Sequence, residues 1–138
     1  LCKYIDLSTA TSIYTEYEKA QIMLGYVNEL RRQVLGEGYD LVLDTKLIEL
    51  SNIRAKEISV NFSHYGGTYT NAGENITEGG ATIKTQFERW KASSGHYTNM
   101  IQENYKYFAY ASYVPDLQSR SLMFGVQLFW SENSKNNY

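Results

Sequence analysis

Cysteine, proline and histidine are scarce in this chain, with one Cys, one Pro and two His among 138 residues. A single cysteine, Cys2, excludes an internal disulfide framework and any multi-cysteine zinc site. It stands beside the first residue, as the anchor cysteine of a bacterial lipoprotein does, but Leu1 is not the small residue expected before such an anchor, and a plain thiol is the simpler reading. Basic residues are not in excess either. Thirteen Lys and Arg against fifteen Asp and Glu leave a net charge of −2 and a pI near 5.7. That balance lacks the clustered basic face which nucleic acid or an anionic membrane calls for. Arg31-Arg32 is the densest basic spot and reads as a solvated helix face. No apolar run reaches the roughly 18–20 residues that cross a bilayer, so no transmembrane segment is expected. The chain does not start with Met, so the lack of an export signal carries no information.

What is present is apolar and aromatic. Hydrophobic residues make up 43%, and tyrosine alone occurs 13 times, enough for one compact domain with a real core. Residues 1–13 are rich in Ser and Thr without periodicity and read as a leader or linker, leaving a single domain over 14–138. From Tyr14 to Leu35 the residues Met23, Tyr26, Val27, Leu30 and Val34 recur at helical spacing, and Gly36-Glu37-Gly38 ends the run. Tyr39 to Leu43 is an extended link, with Asp44 placed to cap the next helix. That helix runs from Thr45 to Ser59 and carries Leu47, Leu50, Ser51, Ala55 and Ile58 on one side.

Val60 to Gly80 reads as a loop of some twenty residues, a length that is usually functional or disordered. A third helix, Thr82 to Ser93, presents Ile83, Phe87 and Trp90, and His96 to Ile101 forms a further short turn. The last third is a hairpin, Tyr105 to Val114 and Leu122 to Trp130, turned by Pro115-Asp116-Leu117-Gln118. In the second strand the even positions are all apolar and the odd ones include Met123 and Phe129, so it needs cover on both faces. The expected fold class is α+β, with helices on each side of a small antiparallel sheet.

Both histidines lie in one stretch, Phe62 to Met100, together with Glu74 and Glu88. Imidazoles and carboxylates are the groups that bind divalent metals or move protons near neutral pH. Isolated histidines in small domains are more often structural, so spacing alone does not make a site.

The segments Tyr26-Val27-Asn28-Glu29-Leu30-Arg31, Leu43-Asp44-x-x-Leu47, Arg54-Ala55-x-Glu57, Phe62-Ser63-His64, Gly73-Glu74-Asn75-Ile76, Trp90, Gly95-His96-Tyr97-Thr98-Asn99-Met100 and Val126-Gln127-Leu128-Phe129, in that order, closely resemble the CAP superfamily. This group comprises cysteine-rich secretory proteins, antigen-five proteins and plant pathogenesis-related proteins, also called SCP-like domains. The similarity spans about Glu18 to Trp130, and the lack of disulfides is similar to the bacterial extracellular branch. The resemblance implies a three-layer α-β-α sandwich, an extracellular, secreted or cell-surface location, and a cleft lined by two histidines and two glutamates. Matched by motif, these are His64, Glu74 and His96. The second glutamate is not matched: Ser93 stands where the family places it, and Glu88, just before Trp90, is an offset fourth candidate.

Several chemistries follow from that implied cleft. His64 and His96, with Glu74, would hold zinc or another divalent cation. A metal-dependent peptidase or esterase would add Glu74 as catalytic base, but the chain has no H-E-x-x-H helix and no nucleophile, base and orienting acid in evident arrangement. A binding module would take an extracellular lipid, glycan or protein, with Tyr65, Tyr69 and Tyr97 available to line a groove. The least specific alternative gives Glu74 and the histidines the task of tying the long loop down through hydrogen bonds. Binding, with a cation in the cleft, is the favoured expectation over turnover.

Overall fold

The computed structural model describes residues 14–115 and 123–137. The expected leader with Cys2, most of the hairpin turn (116–118) and the start of its second strand at Leu122 lie outside them. The strand β4 (Phe124–Trp130) is buried at all seven positions. It pairs antiparallel with β3 (Tyr107–Tyr113) on one side, Ala111 opposite Val126, and with β2 (Gly73–Glu78) on the other, Ile76 opposite Val126. A two-residue strand, β1 (Val42–Leu43), pairs parallel with β3, and the sheet order is β1-β3-β4-β2.

The period-two alternation sorts the two covers. Ala109, Ala111, Val126, Leu128 and Trp130 face a layer in which α2 (Thr45–Val60) contributes Leu47, Leu50, Ala55 and Ile58. Phe108, Tyr110 and Phe129 face the other layer, built from α1 (Glu16–Leu35), α3 (Ile83–Lys91) and α4 (Ser94–Met100) through Met23, Val27, Ile83, Phe87, Trp90 and Met100. The three-layer α-β-α arrangement is therefore present, with helices on both faces of the sheet.

Local sequence sets the helix ends. Thr15 and Glu18 form a reciprocal capping box at the start of α1, and Asp44 caps α2 by accepting from the Leu47 amide. Gly36, at φ 89°, supplies the left-handed turn that closes α1. Among the described residues no helix is long and apolar enough to cross a membrane.

The structure departs from the expected detail at five points. The long loop is interrupted: Gly73–Glu78 is a strand although its only aliphatic side chain is Ile76, because Asn75 and Thr77 are buried as polar residues with partners. The sheet is not wholly antiparallel, since β1 joins it in the parallel sense. A last short helix, α5 (Glu132–Asn137), follows β4 without having been expected. Finally, Arg31 is not a solvated charge but fully buried. Its guanidinium donates to the carbonyls of Tyr39 at 2.6 Å, Met100 at 2.8 Å and Gln102 at 2.9 Å, closing the end of α4 onto α1. Val34, expected in the apolar stripe of α1, is 45% exposed instead.

Candidate functional site

The site is built around Arg54, one helical turn from Leu50 and Ile58 on the buried side of α2 and only 3% exposed. A charge in that position must be answered by partners, and three are supplied. Glu74, the second residue of β2, takes Arg54 in a bidentate pair, Nε to Oε2 at 2.7 Å and Nη2 to Oε1 at 3.0 Å. Glu57 accepts from Nη1 at 2.8 Å, and the Ser63 carbonyl accepts from Nη2 at 2.9 Å. The paired Glu74 carboxylate, with Glu57 beside it, raises the Arg54 pKa further and locks its charge.

The same two carboxylates hold the loop between α2 and β2. Glu57 receives the Thr68 amide at 3.0 and 3.1 Å and the Thr68 hydroxyl at 2.7 Å. Burial pushes the Glu57 carboxyl up, but hydrogen bonds from Arg54 and Thr68 outweigh it and leave the pKa below its ordinary value. There is no room for a side chain at Gly67, where a Cβ would lie 2.2 Å from Arg54 Nη1. At the far end of the loop Trp130 Nε1 donates to the Thr70 carbonyl at 2.8 Å.

His64 projects from this loop with Nδ1 2.9 Å from Glu74 Oε1. A carboxylate paired with arginine only accepts, so Nδ1 carries a proton, and Nε2 is the ring atom left facing away from Glu74. His96 sits half-buried on α4, where burial and then the proximity of His64 lower its pKa and favour the neutral ring. Asn75 fixes that helix against β2. Its Nδ2 donates to the His96 carbonyl at 3.0 Å and to Gln127 Oε1 at 2.9 Å, and its Oδ1 accepts from Asn99 at 2.8 Å.

His64 separates two hollows. One, of about 570 Å³, is lined by both histidines with Phe62, Tyr65, Ile76 and Arg89. The other, of about 640 Å³, lies between His64, Arg54 and Glu74 on one side and Tyr69, Tyr105 and Ser134 on the other. Thus His64 and His96 share one hollow, and Glu74 touches His64 from the adjoining one. Glu88 does not join them: it is exposed on α3 and borders the groove against α1 with Tyr26 and Lys84. Ser93 lies just before α4. Among the described residues no three His, Cys, Asp or Glu side chains converge as a metal site.

Arg54, Glu57, Asn75 and Asn99 were given no role from sequence. A signal for Arg54 exists, because it falls in register with Leu47, Leu50, Ser51 and Ile58 on an otherwise apolar face. Asn75 offered none: an asparagine in a Gly-Glu-Asn run reads as a turn.

An α-β-α sandwich with two histidines above the end of a sheet, one seated on a buried Arg-Glu pair, defines a class that comparison with known proteins places. The model of the cysteine-rich secretory protein family, CAP, matches residues 24–130, and the chain belongs to that family. Three solved structures with the same fold come from bacteria. An outer surface protein of Borrelia burgdorferi superposes with a TM-score of 0.60 at 16% identity, covering 86% of this chain and 97% of that one. An extracellular protein containing an SCP domain from Bacillus anthracis gives 0.60 at 16% identity, covering 86% of this chain and 45% of that one. A cysteine-rich secretory protein of Staphylococcus aureus gives 0.61 at 13% identity, covering 85% and 40%. The chain thus spans under half the length of the latter two. No curated protein sequence matches it.

Proposed function

We propose that this chain is an extracellular binding module whose cleft presents two imidazoles to a divalent cation, zinc being the first candidate. The observation that carries this reading is the occupation of Glu74. Its carboxylate is spent on Arg54 and on His64 Nδ1, so it orients an imidazole instead of waiting for a proton. A carboxylate behind Nδ1 is the arrangement that turns Nε2 outward as a ligand atom. The donor set therefore fits a cation held by His64 and His96 and completed by water, with Glu74 supporting His64 from behind. When bound, the cation would supply a positive centre for an oxygen-bearing ligand. The extracellular location rests on the family and on the descriptions of the structural neighbours as extracellular or outer-surface proteins.

Hydrolysis of a peptide or ester, with Glu74 as base, is the weaker reading, because it asks that carboxylate to leave a nearly buried arginine. Calorimetric titration of zinc into the wild-type chain and into a His64→Ala/His96→Ala double variant tests the binding site. Heat of binding is expected only from the wild type; equal heats from both end the idea. Turnover of peptide or ester substrates by the zinc-loaded chain, abolished by Glu74→Gln, would favour the hydrolase.

A further inference from the structure

The hollow on the far side of His64 has a lining that the cation does not use. It lies among Arg54, Glu74, Tyr69, Tyr105, Thr68 and Ser134 and measures about 640 Å³, within the range of small-ligand sites. Two features mark it as a built surface. Tyr69 is 74% exposed, and Tyr65, four residues before it, is 82% exposed. Each ring offers an apolar face with a polar tip, and the two stand in one loop just after His64, one bordering each hollow. The Tyr69 ring is also fixed. Its hydroxyl donates to Asn71 Oδ1 at 2.8 Å, and Asn71 Nδ2 donates to the Ser134 carbonyl of α5 at 3.0 Å. The loop beneath is held by Glu57 at Thr68 and by Arg54 at Ser63. A ring on so braced a loop loses little freedom when a ligand packs on it.

The second feature is the floor. Gly73 has no side chain, and a Cβ there would lie 2.2 Å from the Tyr105 hydroxyl oxygen. The phenol therefore fits against the strand at the base of the hollow, among the Thr68 and Ser134 hydroxyls. Charge at the floor is already balanced toward the negative side: Arg54 faces both Glu57 and Glu74. An anionic ligand gains nothing there, and a lipid tail would cover polar groups with which it forms no hydrogen bond. A flat aromatic face beside clustered hydroxyl, amide and carboxylate groups suits a ring that is apolar on its faces and rich in hydroxyls on its rim.

We infer that this hollow is a subsite for a neutral oligosaccharide, one pyranose ring stacking on Tyr69 while its hydroxyls reach the Tyr105, Thr68 and Glu74 side, and the chain continuing over His64 toward Tyr65. The inference deepens the binding-module reading by naming its ligand class, but it does not rest on the cation. Its test is therefore run without metal. Wild-type protein in EDTA is titrated by calorimetry and by NMR with cellotetraose, xylotetraose, maltotetraose, mannotetraose and tetra-N-acetylchitotetraose.

At least one of these neutral tetrasaccharides is expected to bind, with Tyr69→Ala weakening it about tenfold, the value of one aromatic contact. Tyr69→Phe, which keeps the ring, should retain most of the affinity. Glu88→Gln, on the groove against α1 and outside both hollows, should bind the sugar as the wild type does. The exposed position of Tyr69 keeps the melting temperature of its variants near that of the wild type, so lost binding is not lost folding. Absence of binding by all five sugars at millimolar concentration, or equal binding by Tyr69→Ala, overturns the inference while leaving the zinc result standing. Binding of anionic glycans or oleate alone overturns it as well.

Discussion

Burial and the nearby His64 together disfavour a charge on His96, and this has a consequence for stability. Because its folded pKa lies below the unfolded value of about 6.5, the unfolded chain takes up the proton first as pH falls. The stabilisation is fully present above pH 6.5 and is lost as the pH drops through the folded value. Thermal melts between pH 7.5 and 5 should fall in the wild type and fall less steeply in His96→Gln, which cannot titrate. Glu57 does not blur this window: its lowered pKa places its own loss of stability below the ordinary carboxylate range. Parallel curves for the two proteins would show that His96 is as comfortable charged as neutral. At this scale the sequence was legible in the placement of the histidines, since both line one hollow. It was illegible where environment decides. Nothing in Arg31-Arg32 says that Arg31 is buried among carbonyls while Arg32 pairs with Asp40 in solvent.

Elements built on apolar period could be read, and those built on polar pairing could not. The helices α1, α2 and α3 and the strands β3 and β4 follow the periodicity of their sequences. β2 does not, because two of its three buried residues are Asn75 and Thr77, satisfied by Gln127 and by Arg89, and its edge is covered by Trp90 Nε1 on the Ile76 carbonyl at 3.1 Å. The loop from 61 to 72 likewise owes its shape to ions. Arg54→Met keeps the volume but leaves Glu74, 11% exposed, with the His64 imidazole in place of a guanidinium as its side-chain partner among the described residues, and it frees the Ser63 carbonyl. Breaking such a pair costs about 3 kcal/mol, or about 10 °C in Tm for a domain of this size. The effect should be local as well as global. Amide exchange at Ser63–Thr70 is expected to accelerate more than at β3 or β4, and uniform acceleration along the chain would contradict the role given to Arg54.

The whole molecule is two apolar layers on one sheet, and the layers are not independent. Strands β3 and β4 send alternate side chains into both, and Leu43 packs against both clusters. Loss of either helical cover would expose one face of a strand buried throughout its length, so the two should unfold together. The chain carries its own reporters, for Trp130 belongs to the α2 layer and Trp90 to the layer of α1 and α3. In Trp90→Phe and Trp130→Phe variants the fluorescence of the remaining indole follows one layer at a time. Ile58→Ala, a fully buried site on α2, should cost about 3 kcal/mol. If the sheet couples the layers, that substitution shifts the urea midpoint reported by Trp90 as far as the one reported by Trp130, measured against the same single-tryptophan background. A shift confined to Trp130 would mean that α2 and its apolar layer melt alone. The loop that carries His64, joined to α2 through Arg54, would then open without disturbing His96, and the two imidazoles would share a hollow only part of the time.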